Sequence, residues 1–210
     1  MRTVLCYGDS NTWGWNPDDK SRYKMEERWP GVLRMELGSS YYIIEEALNG
    51  RTTVWEDPIM GYKSGKEYLT PCLESHKPID LVIMMLGTND LKKRFNLSPL
   101  DIAKGVETLV KMIKKSDCGL NGGEPKILLI CPPQVGKLNY DFSQIFEGSE
   151  EKSKKLGPHY KVIAEFYGCY FLDASKIIIS SDIDGIHIEK GEHKKLGKAV
   201  ADIVKEIFKD

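Results

Sequence analysis

No run of apolar residues in this chain approaches the roughly 20 needed to cross a bilayer. Leu81 to Leu86 is among the longest, so no transmembrane helix and no membrane partner are expected. Charge of one sign is also missing. With 30 Lys and Arg against 31 Asp and Glu, the formal net charge is -1, which creates no long-range field to draw in nucleic acid or anionic lipid. A small or neutral ligand fits better. Cysteine is sparse, odd in number and never spaced as C-x-x-C. The five, Cys6, Cys72, Cys118, Cys131 and Cys169, therefore read as reduced structural thiols, with no disulfide framework and no zinc knot. No linker, internal repeat or low-complexity tract interrupts the chain. No cleavable apolar stretch precedes the strand-like run Thr3 to Tyr7, so the expected address is the cytoplasm.

What is present is enough for a sizeable core. With 210 residues, 41% of them hydrophobic, a single domain spanning 1–210 is expected to bury about 70% of the unfolded chain's surface without a metal or disulfide staple. Five short runs rich in branched or aromatic residues read as strands: Thr3 to Tyr7, Tyr41 to Glu45, Leu81 to Leu86, Ile127 to Cys131 and Tyr170 to Leu172. Between them, apolar residues follow a helical period, as in Ile102, Val106, Leu109, Val110 and Ile113, and again in Leu196, Val200, Ile203, Val204 and Ile207. Ser98-Pro99 has the form of an N-cap followed by proline at the first helical position. Strands alternating with helices predict an α/β fold, with a mostly parallel sheet covered by helices on both faces.

In such sheets ligands collect beyond the carboxyl ends of the strands, and four of the following loops carry chemistry. After the first strand, Gly8-Asp9-Ser10-Asn11 can present a hydroxyl on a tight turn, although these residues also suit any turn. It is not the G-x-S-x-G elbow, which the sequence lacks. The second strand runs into Leu48-Asn49-Gly50-Arg51, where glycine leaves a backbone N–H unobstructed or simply turns the loop. After the third, Gly87-Thr88-Asn89-Asp90 delivers an amide that can donate to an oxyanion or cap a turn. Near the C-terminus, Asp184-Gly185-Ile186-His187 places a carboxylate close enough to orient an imidazole. Of the other histidines, His76 and His159 fall in polar helical segments and His193 begins the last helix, where surface or capping roles are expected. Asp182 and Asp173 are the rivals to Asp184.

The ordered set Gly8-Asp9-Ser10, Gly50, Gly87-x-Asn89-Asp90 and Asp184-x-x-His187 resembles the four blocks of the SGNH, or GDSL-type, hydrolase superfamily. Arg51-Thr52-Thr53, Pro99-Leu100-Asp101-Ile102-Ala103 and Ile145-Phe146-Glu147-Gly148 extend the likeness to its bacterial arylesterase/acyltransferase branch. The resemblance implies a flavodoxin-like three-layer α/β/α sandwich with a five-stranded parallel sheet. It also implies Ser10 as nucleophile, His187 as base and Asp184 as its orienter. The Ser10 and Gly50 N–H groups and the Asn89 side chain would form the oxyanion hole. Asn11 departs from the pattern, since leucine is expected after the serine, and this bears on substrate shape.

The function expected is a serine esterase acting on short-chain or aryl esters of small molecules through an acyl-enzyme, without cofactor or metal, and able to pass the acyl group to alcohols. A carbohydrate O-deacetylase, a lysophospholipase or thioesterase, and a non-catalytic flavodoxin-like binding module are the alternatives. Asn11, Trp15, Thr88, Ile145 and Phe146 are the candidate pocket residues, with Trp13, Trp55, Phe95 and Phe142 nearby in the loops. Gly61 to Lys66 falls short of a phosphate loop because it has too few residues between its glycines and Glu67 where Ser or Thr should follow. His187, His193, Asp184 and Glu189 match no standard zinc spacing. The long, partly apolar loops Asn49 to Gly65 and Pro132 to Gly148 are expected to cover the cleft or pack on another copy, making a homo-oligomer.

Overall fold

In the computed structural model, which describes residues 1–209, five strands pair in parallel in the order β2-β1-β3-β4-β5. They are β1 (Arg2–Gly8), β2 (Tyr41–Ala47), β3 (Leu81–Met85), β4 (Lys126–Cys131) and β5 (Tyr170–Asp173). Each occupies its expected segment, with ends shifted by one or two residues. The order is that of a flavodoxin-like doubly wound sheet. The helices are α1 (Ser10–Trp13), α2 (Trp29–Leu37), α3 (Gly65–His76), α4 (Pro99–Lys114), α5 (Tyr140–Ile145), α6 (Ser149–Ser153), α7 (Leu156–Tyr167) and α8 (Lys190–Ile207). Among the described residues no helix is long and apolar enough to cross a membrane.

Strand alternation divides the core into two layers. Leu5, Tyr7, Ile44, Val82, Met84 and Leu129 pack with Leu69 and Leu73 of α3, Ile102, Val106 and Leu109 of α4, and Tyr160 of α7. Their neighbours Val4, Cys6, Ile43, Ile83, Met85 and Leu128 point the other way, onto Trp29 and Leu33 of α2 and Leu196, Val200 and Val204 of α8. Side chains at successive strand positions emerge on opposite faces, so helices must cover both. β3, buried along its whole length, is the central strand that its uninterrupted apolar run predicts.

α4 starts where Ser98-Pro99 places it. The Ser98 hydroxyl accepts from the Asp101 N–H at 3.1 Å and the Asp101 carboxylate accepts from the Ser98 N–H at 3.0 Å, a reciprocal capping box. α8 instead begins at Lys190, so His193 lies in its first turn rather than at the surface or as a cap. There it is fully buried, and its Nδ1 accepts from the Trp29 N–H at 3.2 Å. Burial pulls its pKa down to about 3, which keeps the ring neutral.

Parallel pairing sets Gly8 beside both Ala47 and Met85. The loops after β1, β2 and β3 therefore leave the sheet side by side, and the loop preceding α8 meets them there. Because Ser98 is exposed and its hydroxyl bonds only with Asp101 in the first turn of α4, Ser98→Ala is expected to lower unfolding free energy by about 1 kcal/mol without altering activity, as measured by urea denaturation.

Candidate active site

Ser10 is the first residue of α1, immediately beyond β1. Asp9 turns the chain by accepting the Asn11 N–H at 2.9 Å. The opposite partner arrives on the loop before α8. Asp184 folds that loop around one carboxylate oxygen, Oδ1, which accepts the N–H groups of Ile186 at 2.8 Å and His187 at 2.9 Å. Its other oxygen lies 2.7 Å from His187 Nδ1. An ionised carboxylate can only accept, so Nδ1 carries the proton and Nε2 is left to accept from the Ser10 hydroxyl, 3.0 Å away. Burial pushes the Asp184 carboxyl upward, but the His187 side-chain and backbone bonds outweigh it and hold the group below its usual range.

Asn11 does not line the cavity. Capping by Asp9 turns its side chain toward the histidine loop, where its Nδ2 donates to the Ile186 carbonyl at 3.2 Å and its Oδ1 accepts from the Ile188 N–H at 3.2 Å. One amide thereby bridges both backbone neighbours of His187, a task leucine has no polar atoms to perform.

Three donors stand near Ser10. Among the described residues, neither the Ser10 nor the Gly50 N–H donates to another protein group. Gly50 takes φ 83°, a left-handed conformation that strains any residue with a Cβ, so glycine is required by conformation; the nearest atom to such a Cβ, Met60 Cε at 2.9 Å, is the end of a flexible side chain and can shift. Arg51 secures this loop by donating to the carbonyls of Gly8 at 3.0 Å and Glu46 at 2.6 Å. Asn89 Nδ2 donates to the Arg51 carbonyl at 3.1 Å. Its further contact, to Asp9 Oδ2 at 3.5 Å, is at the limit of a hydrogen bond and leaves donor capacity for a ligand. Asp90 accepts from both the N–H and the hydroxyl of Thr53. Burial nevertheless raises the Asp9 and Asp90 carboxyls to about 6 each.

Ser10, Gly50, Asn89 and His187 open onto a cavity of about 260 Å³ whose apolar wall is Trp15, Phe142, Ile145, Phe146 and Ile186. Trp15 stacks on the His187 ring at a centroid distance of 5.5 Å, and Phe142 meets it edge-on at 5.9 Å. Thr88 is buried and does not line the cavity, and neither do Trp13, Trp55 or Phe95. The remaining wall, which the sequence reading missed, is Asn49, Met60, Lys92 and Arg94. Lys92 and Arg94 both pair with buried Asp57, at 3.2 and 3.0 Å. Burial alone would raise Asp57, but the N–H groups of Ile59 and Met60 and the Lys92 ammonium draw it down to about 2. Lys92 and Arg94 follow directly on the Gly87 to Asp90 block, which is a usable signal. Asp57 lies on a separate loop and gives none.

Asn11→Leu is expected to lower kcat rather than raise KM, because it frees the histidine loop without touching the cavity. It should also cost about 1–3 kcal/mol of stability for each of the two buried backbone groups left unpaired. Steady-state kinetics and thermal unfolding of the variant check both.

Comparison with known proteins agrees with this geometry. The family model for the GDSL-like lipase/acylhydrolase family matches residues 6–189. Among curated proteins no significant match was found. Among solved structures, a carbohydrate acetylesterase from Sinorhizobium meliloti is 42% identical with a TM-score of 0.95, over 99% of this chain and 100% of that one. The aryl esterase of M. smegmatis is 40% identical with a TM-score of 0.95 and the same coverage. A lipase/acylhydrolase from Enterococcus faecalis, 17% identical with a TM-score of 0.70 over 100% of this chain and 98% of that one, shares the fold. By the family match over most of its length and by these relatives, the chain belongs to the GDSL-like lipase/acylhydrolase family, within the SGNH hydrolases.

Proposed function

We propose that this carboxylic ester hydrolase is a serine esterase in which Ser10 is the nucleophile, His187 the general acid–base and Asp184 the orienter of the imidazole. The observation that carries the reading is the unbroken Asp184–His187–Ser10 hydrogen-bond chain, with contacts of 2.7 and 3.0 Å, opening onto a cavity beside available donors. Ser10 Oγ bonds to the ester carbonyl carbon as its proton passes to His187 Nε2. The negative oxygen so formed is received by the Ser10 and Gly50 N–H groups and the Asn89 amide. Collapse of the tetrahedral intermediate breaks the bond to the leaving oxygen, which takes the proton from His187. Water, activated by the same imidazole, then releases the acid and restores the hydroxyl. Asp184, held as a carboxylate, stabilises the imidazolium in both halves of the cycle.

The cavity's size and lining support a short acyl group. Its volume of about 260 Å³ lies below the range of roughly 300–1,000 Å³ found for drug-sized ligands, and aromatic side chains flank the imidazole. Such a site limits access of water to the acyl-enzyme, so a small alcohol competes with it and acyl transfer accompanies hydrolysis. A second reading, deacetylation of an acetylated sugar, is favoured by the likeness to the Sinorhizobium meliloti carbohydrate acetylesterase. Self-association and a reducing, cytoplasmic address belong to the same proposal. In the loop that carries the cavity-lining Met60, Ile59 and Tyr62 are 74% and 95% exposed, and all five cysteines are free.

Ser10→Ala is expected to reduce hydrolysis of an aryl acetate at least about a thousandfold, and Asn89→Ala to cost roughly 2.7–4 kcal/mol in the barrier. Near-normal turnover by the serine variant would overturn the assignment. For acetyl, butyryl and octanoyl esters of one phenol, kcat/KM should fall with chain length, and a steady rise contradicts the short-acyl cavity. Release of acetate from an acetylated sugar at a rate above that from the aryl acetate selects the deacetylase reading.

A further inference from the structure

Between β2 and α3, outside the triad, three ligand-type side chains meet. Cys72 and His76 are one helical turn apart and share a face of α3, and both face Glu46 near the end of β2. One donor atom from each lies within 4.8 Å of the others. His76 Nε2 is 2.7 Å from Glu46 Oε1, while Glu46 Oε2 accepts from the Tyr68 hydroxyl at 3.2 Å, which orients the carboxylate. Cys72 is buried, whereas the side chains of His76 and Glu46 keep 29% and 22% of their surface exposed. The cluster is therefore closed on the protein side and open to water on the other.

We propose that Glu46, Cys72 and His76 form a binding site for a borderline-soft divalent transition ion of the zinc type, with water as fourth ligand. The donor set selects the ion. Thiolate and imidazole favour zinc over magnesium or calcium, which prefer oxygen. Burial and Glu46 keep the free Cys72 thiol protonated, so binding must release its proton to water; charge then balances, since the thiolate and the carboxylate together neutralise a dication. The neighbouring cation, Arg51, is already engaged with the carbonyls of Gly8 and Glu46 and lies over the rings of Tyr7 and Tyr68. Tetrahedral zinc with bonds of 2.0–2.3 Å places its donors about 3.3–3.7 Å apart. The Glu46–His76 contact widens slightly and the Cys72 sulfur draws closer, adjustments within reach of side-chain rotation. The ion would tie β2 to the helix packed on it, four residues before Gly50. It takes no part in ester cleavage. The sequence alone gives no hint of the site, because Glu46 is far in the chain from the Cys72 and His76 pair.

Titration of the metal-stripped full-length protein with Co²⁺, followed by Zn²⁺, tests the site. One equivalent of Co²⁺ is expected to give a near-ultraviolet thiolate-to-cobalt absorption that Zn²⁺ removes. Cys72→Ser should abolish the absorption, and His76→Gln should weaken Zn²⁺ binding by about tenfold or more. Both variants should retain esterase turnover, and Ser10→Ala should bind metal normally. Absence of the absorption at stoichiometric Co²⁺, its survival in Cys72→Ser, or unchanged affinity in His76→Gln overturns the proposal. A Cys72→Ser protein that fails to fold leaves the His76→Gln affinity to decide.

Discussion

The hydrogen bond between Ser10 and His187 joins residues 177 positions apart, and much of the surrounding structure serves to keep those two atoms in contact. Ordering so distant a pair is costly in chain entropy, so each side is anchored separately. Asp9 fixes the turn that presents Ser10. Asp184 folds the histidine loop onto its own carboxylate, and Asn11 clamps the backbone on both sides of His187. Asn11 belongs to the serine's helix yet grips the histidine's loop, so the two halves are tied by its side-chain-to-backbone bonds as well as by the Ser10–His187 contact.

The cavity combines two walls of opposite character. Trp15, Phe142, Ile145 and Phe146 form a dry surface around the imidazole, where low local dielectric strengthens any charge–dipole interaction with a developing oxyanion. Lys92 and Arg94 form the other wall. Left unpaired, two cations would disturb the field at the serine. Asp57, itself held ionised by two backbone N–H groups and Lys92, offsets one of the two charges and fixes the positions of both side chains.

β2 lies at the sheet's edge, and its end is charged where the inner strands are apolar. Glu45 and Glu46 point to opposite faces. Glu45 gathers Arg22, Arg28 and Arg34 on the α2 side, whereas Glu46 meets His76 and Tyr68 on the α3 side. Polar pairing thus fastens an edge strand to both helical layers, just before the loop that carries Gly50. Charge on an edge strand also discourages pairing with another sheet.

By itself the sequence determined what local periodicity and short spacing encode. The five strands, the buried stripes of α4 and α8 and the Ser98 cap follow from residue patterns spanning a few turns or a single strand. The proposed triad and its donors were legible because each lies within a few residues of a strand end or in one short loop, in an order that the family resemblance made specific. Tertiary structure alone decided the rest, because it depends on partners far apart in the chain. It turned Asn11 from the cavity to the histidine loop, buried His193 against Trp29, kept Thr88 out of the cavity wall and brought Asp57 to Lys92 and Arg94. In the same way it set Glu46 against Cys72 and His76, a meeting that only the packing of one strand on one helix could create.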